Sequence, residues 1–349
     1  MAANIINKNA SLSDQAEQLP NSQWLRFCRL TVATESVEGD HQQTIQAIDL
    51  SEFRIRFLVD QACVGKPGST KITVYNLSQD TIDMIPGPTN REIRNKNILV
   101  TLEGGYQSNH AIVFQGELWW KTVGQENETD SYLTLVCASG SRNQNYAVVS
   151  ASIKKGATQQ DILNVVAKSM TEKGVSMANK PTLMGTKLPR GKVVYKMTKD
   201  AMQGLADTNN FNWYIGTNGL VAVPKDPSYD PNTQAIVLNM ATGMLGRPKM
   251  TTIGVNVECL MNPLIDVGTI VQIDNYTIIR DNYDTSAGAT MQNFSRTDLY
   301  EGTNGIYRVI ARQHIGDTRG QDWYTSLICV AVQGTTPLTP GVNNFFPNT

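Results

Sequence analysis

Apolar and polar side chains alternate at a period of two through much of this 349-residue chain. The clearest case is the segment 53–59, FRIRFLV, in which Arg54 and Arg56 stand between apolar residues. This is the period of a β-strand with one buried face. Further strands are predicted at Arg26–Val32, Ile72–Leu77, Ile98–Leu102, Ile112–Val123 and Tyr132–Cys137. Turn residues separate these segments, so residues 24–150 predict an antiparallel barrel or sandwich with one helical turn at Asp80–Ile85.

The period changes in the middle of the chain. Thr158 followed by Asp161 has the spacing of a helix-capping box, and an apolar stripe at helical spacing follows it. The stripe consists of Ile162, Val165, Val166 and Met170. A second helix is predicted at Thr198–Asp207, with Ala201, Met202 and Leu205 facing inward. A hairpin of Phe211–Ile215 and Leu220–Val223 completes a small α+β domain at residues 151–245.

Strand patterns return after Arg247-Pro248. They predict strands at Ile253–Leu260, Thr269–Asp274, Ile306–Gln313 and Tyr324–Val332. The chain is therefore expected to be mainly β with an α+β insertion. Its predicted parts are a flexible arm at 1–23, a β domain at 24–150, the insertion at 151–245, a second β domain at 246–334 and an extended tail at 335–349. A long polar excursion is expected at 275–304.

Composition limits the possible partners. The net charge of −1 gives no overall attraction to nucleic acid or to an anionic membrane. Charged residues make up only 17%, below the roughly 25% of typical soluble domains, which favours surfaces that meet other proteins. Residues 1–23 lack the pattern of a signal peptide, and the apolar run Leu327–Val332 is far too short to span a membrane. A soluble protein without membrane insertion is expected.

The five cysteines stand singly along the sequence, at Cys28, Cys63, Cys137, Cys259 and Cys329. An odd number without a CxxC pair argues against a disulfide framework and against a zinc knuckle. Two of them, Cys137 and Cys329, lie within apolar strand patterns and are expected to act as small hydrophobic residues. Folding in a reducing cytoplasm is the simpler interpretation.

Motifs for nucleotide or nucleophile chemistry are incomplete. Gly185–Val193 and Gly65-Lys66 lack the spacing and hydroxyl of a P-loop, and no G-x-S-x-G elbow exists. No two of the histidines, His41, His110 and His314, have the spacing of a zinc protease.

One histidine has carboxylates near it in the sequence. His314 with Asp317 and Asp322 could act as a general base oriented by a carboxylate. The alternative is a polar turn at Gly316–Gly320 between two strands, and this second interpretation is favoured.

Other carboxylates and tryptophans are candidates for ligand binding. A calcium site or a glycosidase pair could draw on Asp226, Asp230, Asp274, Asp281 and Asp284. They lack the EF-hand pattern, and solvated loop residues are expected instead. Trp119, Trp120 and Trp323 could form a sugar-binding platform. In a strand one of two adjacent tryptophans points inward, so core or interface packing is favoured. The sequence thus predicts no catalytic, cofactor or metal site.

Several short phrases occur together in a fixed order. In the first β segment they are TVYNLS at Thr73–Ser78, EGGY at Glu103–Tyr106 and IVFQGEL at Ile112–Leu118. In the last segment they are Gly254-Val255, LMNP at Leu260–Pro263, Val267-Gly268, GIYRV at Gly305–Val309, and HIGD at His314–Asp317 leading to Asp322-Trp323. Over roughly residues 24–334 the set resembles the baseplate hub proteins of contractile-tailed bacteriophages, of the Mu-like type.

The resemblance implies a structural protein of the virion tail baseplate rather than an enzyme, assembled in the cytoplasm of the host bacterium. It implies two tail-tube-like β-barrel domains separated by the insertion. Three copies would form a homotrimeric ring whose six barrels match the sixfold tail tube and whose lower face seats a trimeric, puncturing spike. Other expected partners are further baseplate proteins, the tape measure protein in the bore, and phage DNA, which passes without specific binding.

Three alternatives remain open at this point. The same class of protein includes the hub of a related contractile injection system. A carbohydrate-binding β-protein could use Trp119, Trp120 and Trp323. A cell-wall hydrolase would need a carboxylate pair or metal site that the sequence does not provide.

Overall fold

The computed structural model describes residues 23–332, with gaps at 39–41, 64, 86, 88–96, 173, 178–180, 182, 184, 186, 218, 226–234, 252, 275–276 and 280–304. Residues 1–22 of the predicted arm, the predicted tail and almost all of the predicted polar excursion lie outside the described residues.

The first β segment folds as its alternation predicts. Its strands are β1 Arg26–Glu38, β2 Gln42–Asp49, β3 Ile55–Ala62, β4 Ser69–Tyr75, β5 Asn97–Tyr106, β6 Asn109–Gln125 and β7 Ser131–Ala138. All the predicted strands are confirmed, and β2 is an addition. The predicted helical turn is α1, Gln79–Met84, and the side chain of Ser78 caps it by accepting a hydrogen bond from the N–H of Thr81.

The middle segment contains the predicted helices and hairpin. Its elements are α2 Ser141–Tyr146, β8 Val148–Ile153, α3 Gln159–Thr171, β9 Lys192–Met197, α4 Thr198–Thr208, β10 Phe211–Gly216 and β11 Gly219–Pro224. The capping box at the start of α3 is confirmed, because Thr158 and Asp161 bond each other's backbone N–H. Its apolar stripe packs inward, with Ile162, Val166 and Met170 buried.

The last segment contains β12 Ile236–Leu238, β13 Met244–Met250, β14 Val255–Leu260, β15 Ile270–Ile273, β16 Ile306–Asp317 and β17 Trp323–Ala331. Strands β14 to β17 confirm the predicted strands. Strand β13 begins before Pro248, where no strand was expected. The proline is tolerated because the pairing of β13 with β14 shifts register between Leu245 and Lys249.

The two β segments form one sheet. The strand order is β13-β14-β17-β16-β3-β4-β7-β6-β5-β1-β2, with β15 and β12 attached beside β16. The segments meet where β16 pairs antiparallel with β3, from Ala311 opposite Ala62 to Asp317 opposite Arg56. The chain is mainly β, as predicted. Within the described ranges no strand path closes into a barrel, because β3 and β16 pair with each other across the boundary between the segments.

Buried side chains form three large clusters. One lies within strands β1 to β7 and contains Leu30, Phe57, Val100 and Leu135. A second lies in the middle segment between its helices and strands, and a third lies within β12 to β17. The first cluster also includes Met261 and Trp323 from the last segment. The joint between the segments is therefore held by side-chain burial as well as by backbone pairing.

The loop between β3 and β4 attaches the middle segment to the sheet. The N–H of Gly65 donates to the carbonyl of Trp213 at 2.8 Å, and that of Gly68 donates to Ile215 at 3.1 Å. Gly65 has a φ of +69°, and a Cβ there would lie 3.0 Å from the amide oxygen of Gln203, so glycine suits both the backbone and the close approach. On the other side, the hydroxyl of Tyr214 donates to the carbonyl of Val267 at 3.0 Å.

We expect Trp323→Ala to lower the free energy of unfolding by about 3–5 kcal/mol, because it removes a side chain that is 3% exposed from the shared core. The matched variant Trp119→Ala removes a tryptophan that is 62% exposed and should change it by less than about 0.5 kcal/mol. Urea unfolding of both variants measures the difference. Equal losses would show that Trp323 does not hold the joint.

Candidate interaction surfaces

The candidate general base, His314, is a buried structural residue. His314 lies in β16 and is fully buried. Its Nε2 is 2.6 Å from Nη1 of Arg312, and its Nδ1 is 2.8 Å from the hydroxyl of Thr325 on the paired strand β17. Since a guanidinium only donates, Nε2 accepts from Arg312 and the ring is neutral, with its proton on Nδ1.

The carboxylate of Asp317 belongs to a turn rather than to His314. It accepts hydrogen bonds from the N–H groups of Arg319 and Gly320 at 3.0 and 2.9 Å, and from Nη2 of Arg54 at 2.7 Å. Burial opposes its ionisation, but these donors together lower the pKa of Asp317. Three residues along an extended strand place the two side chains on opposite faces. The turn interpretation of Gly316–Gly320 is confirmed, and the side chain of Asp322 is exposed.

Arg312 links this network to the middle segment. Its guanidinium is buried, with Nε 3.2 Å from Oδ1 of Asp266. Asp266 lies next to Val267, which accepts the hydroxyl of Tyr214. Burial and then the adjacent Arg312 charge hold the pKa of His314 well below its usual 6.5. These groups serve the joint between the segments, and their hydrogen bonds are made to the protein itself.

The other candidate ligands do not form a site in the described part of the chain. Asp226, Asp230, Asp281 and Asp284 lie outside the described residues, as does His41. Among the residues that are described, no group of three or more His, Cys, Asp or Glu side chains is arranged for a metal ion. All five cysteines are free thiols, and burial raises the pKa of Cys63 and Cys259 to about 12. As predicted, Cys137 and Cys329 are core residues of strands β7 and β17.

Two adjacent tryptophans form an exposed aromatic patch on β6. Trp119 and Trp120 are 62% and 56% exposed, so the expectation that one of them points inward is wrong. The reason is a register shift against β7 between Leu118 and Trp120, which breaks the alternation at that point. Trp323 is buried in the core, so it cannot join them in a sugar-binding platform.

A second exposed apolar face lies on two strands that the sequence pattern does not predict. Strands β8 and β9, neither of which was predicted, pair only with each other among the described strands. Val193 and Tyr195 of β9 are both largely exposed. The apolar run in KVVYKM was the available signal, but apolar and polar residues do not alternate in it, because both faces of the strand carry apolar residues.

Three strands of the sheet, β2, β12 and β13, have one partner each among the described strands. Strand β2 pairs with β1 along Thr31–Glu38, and β13 pairs with β14. On its other side β13 receives a short bridge from Ile279 to Lys249. The edge of β2 is of the kind that can pair with another chain, whereas Pro248 and Met250 of β13 already bond the backbone of Ile279. In the described part of the chain, no helix has the length and apolar character needed to cross a membrane.

We expect the stability of the folded chain to fall below about pH 6.5, where the unfolded chain protonates His314 and the folded chain does not. The contribution of this residue approaches about 1.4 kcal/mol per pH unit. Urea unfolding at several pH values, for the natural chain and for His314→Gln, isolates it. The free energy of unfolding of the variant should depend less steeply on pH. If it changed with pH as steeply as that of the natural chain, the assignment of a neutral, buried ring would be contradicted.

Comparison with solved structures shows the fold. The 43 kDa tail protein of prophage MuSo2 from Shewanella oneidensis superposes with a TM-score of 0.50 at 9% identity, over 86% of this chain and 98% of that one. A tail protein from Neisseria meningitidis MC58 gives 0.47 at 11% identity, over 86% and 96%. A component of the Escherichia coli type VI secretion system gives 0.48 at 6% identity, over 82% and 77%.

Comparison of sequences shows the family. No curated protein is significantly similar to the chain in sequence. A family model described as baseplate hub gp41, however, matches residues 31–277, which is well over half of the chain and includes most of the first β segment and all of the α+β segment. The chain belongs to the baseplate hub gp41 family, and is thus a structural component of a phage tail baseplate.

Proposed function

We propose that three copies of this chain form the hub ring of a phage tail baseplate. In this role the ring adapts the sixfold tail tube to a threefold, puncturing spike. The tape measure protein, and later the phage DNA, occupy its bore without specific binding. Each copy then contributes two tail-tube-like β domains, at 24–150 and 246–334, on either side of the insertion at 151–245.

The proposal is supported mainly by the presence of two separate clusters of buried side chains within one sheet. The cluster inside β1 to β7 and the cluster inside β12 to β17 are separate, yet β3 and β16 join their strands directly. One copy therefore offers two β units in a fixed relation. Three such copies supply six units, the number that a sixfold tube requires.

The sheet edges provide a means of joining copies. The edge of β2 in one copy and the edge of β13 in the next can be covered by neighbours, which removes an aggregation hazard in the assembled ring. Burial of exposed apolar residues at about 25 cal/mol per Å² would drive association. A net charge of −1 is consistent with a bore through which DNA moves without being held.

The proposal predicts a trimer. Mass measurement of the full chain, alone and with its candidate spike protein, should give three copies in the complex, and projection images should show a ring with six similar lobes. A monomer that binds glycans through Trp119 and Trp120, or a complex without threefold symmetry, would contradict it.

The tail at 335–349 carries no charged residue, and it contains three prolines and Phe345-Phe346. Because such a segment can be buried against a neighbour without desolvating charge, we expect its deletion to weaken trimer and baseplate assembly. Replacing it with a glycine- and serine-rich segment of equal length is the control for chain length. Unchanged assembly after deletion would exclude the tail from the interface.

The same geometry would serve the hub of a related contractile injection system. The two possibilities share the ring, the spike and the bore, and they differ in what is ejected. The neighbouring genes distinguish them, because a phage hub is encoded beside tail and capsid proteins.

A further inference from the structure

The outer face of the β8–β9 pair is unusual for a surface sheet. The register places Val149, Ala151 and Val194 on the inner face, against α3 and α4. The outer face carries Val193 and Tyr195, which are 74% and 77% exposed. Antiparallel sheets with one face on a core normally present polar residues on the other.

Apolar residues continue beyond these two. Val148 lies on the same outer face, and Tyr146 precedes it at the end of α2; both are exposed. A contiguous exposed patch of this kind marks an interaction site. We call Tyr146, Val148, Val193 and Tyr195 the insertion face.

The insertion face is bordered by positive charge. Lys154 and Lys155 follow β8 directly, and Arg190 and Lys192 stand at the start of β9; all four are exposed. Residues 147–224 carry ten Lys and Arg but only four Asp and Glu, whereas the rest of the chain carries 20 and 27. The segment that bears the insertion face is thus basic, and the rest of the chain is acidic.

An apolar surface of the opposite charge lies on the β6–β7 hairpin. Trp119 and Trp120 are exposed on β6, and the turn that follows the strand carries the carboxylates of Glu126, Glu128 and Asp130. We call this surface, residues 119–130, the hairpin face. The two faces match in apolar character and are complementary in charge.

Within one copy the acidic turn lies at the end of the β6–β7 hairpin far from α2, whereas Trp120 lies opposite Val136, at the end near α2. Strand β7 runs from Ser131, at the acidic turn, to Ala138, and α2 of the insertion begins at Ser141. Eight residues of extended strand span roughly 26 Å. The acidic turn of one copy is thus available to the insertion face of another, and a contact between two different faces closes into a ring when the rotation permits.

We infer that the insertion face of one copy packs on the hairpin face of the neighbouring copy, and that this contact sets the order of copies around the ring. The inference rests on the proposed function for the ring itself. A protein partner is favoured over nucleic acid, because half of the insertion face is aliphatic, at Val148 and Val193, and only its two tyrosines offer a stacking surface to bases.

Photo-crosslinking tests the contact directly. A photoreactive amino acid placed at position 195 of the full chain, mixed with isotope-labelled copies, should give intermolecular products whose peptides come from residues 119–130. Products within one copy, products joining two insertion faces, attachment elsewhere, or the absence of intermolecular products would each overturn the inference. Cross-linking to copurified nucleic acid would also overturn it.

A matched pair of variants tests how much the contact contributes to the affinity between copies. Tyr195→Asp should raise the dissociation constant between copies by roughly tenfold or more, because it places a buried negative charge opposite an acidic face. Met240→Asp introduces the same charge at an exposed site of the last segment and should leave association unchanged. Equal effects of the two variants would contradict the contact. Thermal unfolding confirms that both remain folded.

The outcomes distinguish the contact from the function. Suppose that projection images show threefold rings but position 195 does not cross-link to residues 119–130. That result would rule out the contact and leave the hub proposal intact. The cross-link in an assembly that is not threefold would retain the contact and reject the ring.

Discussion

The pairing of β3 with β16 is the constraint on which the rest of the structure depends. Without it the chain would be two β units connected through an insertion and free to move relative to each other. With it, strands from distant parts of the sequence become neighbours in one sheet, and Trp323 of the last segment is buried in the core of the first. Long-range strand pairing is entropically costly, so its stabilisation must come from burial at the same place. The indole N–H of Trp323 also donates to the carbonyl of Gly105 at 3.1 Å, which leaves no polar group unpaired by that burial.

Three of the short phrases that carry the family resemblance meet at this joint. The carbonyl that Trp323 bonds belongs to the phrase EGGY, and Met261 of the phrase LMNP lies in the same core. Gly316 of the phrase HIGD lies opposite Phe57 in the β3–β16 pairing, and a Cβ there would lie 2.4 Å from the Phe57 ring. Each phrase is weak as a sequence pattern because glycine pairs and Asn-Pro turns are common. Their meeting in space explains why such residues would be required together: they allow two β units to approach closely.

The fold could be predicted from the sequence where the pattern is local. The alternation in segment 53–59 and the capping box at Thr158 depend on neighbours a few residues away, and both gave the correct element. The surfaces could not be predicted in the same way. The exposure of both Trp119 and Trp120 follows from a register shift against β7, and register depends on the partner strand. Strand β9 has apolar residues on both faces, so its alternation disappears, and only the packed structure reveals which face is left without a core.

The joint also determines what remains for contacts between copies. It uses the facing edges of β3 and β16, and the charges near it form ion pairs within the chain, as in the Arg54–Asp317 and Arg312–Asp266 pairs. What is left among the described residues is the outer edges of β2 and β12, the part of β13 that does not bond Ile279, and two exposed apolar faces of opposite charge. Apolar burial is non-directional, so by itself it would permit a copy to bind in several orientations. Opposite charge on the two faces favours the contact between unlike faces and penalises the contact between like ones, which is what separates a closed ring from a two-fold dimer.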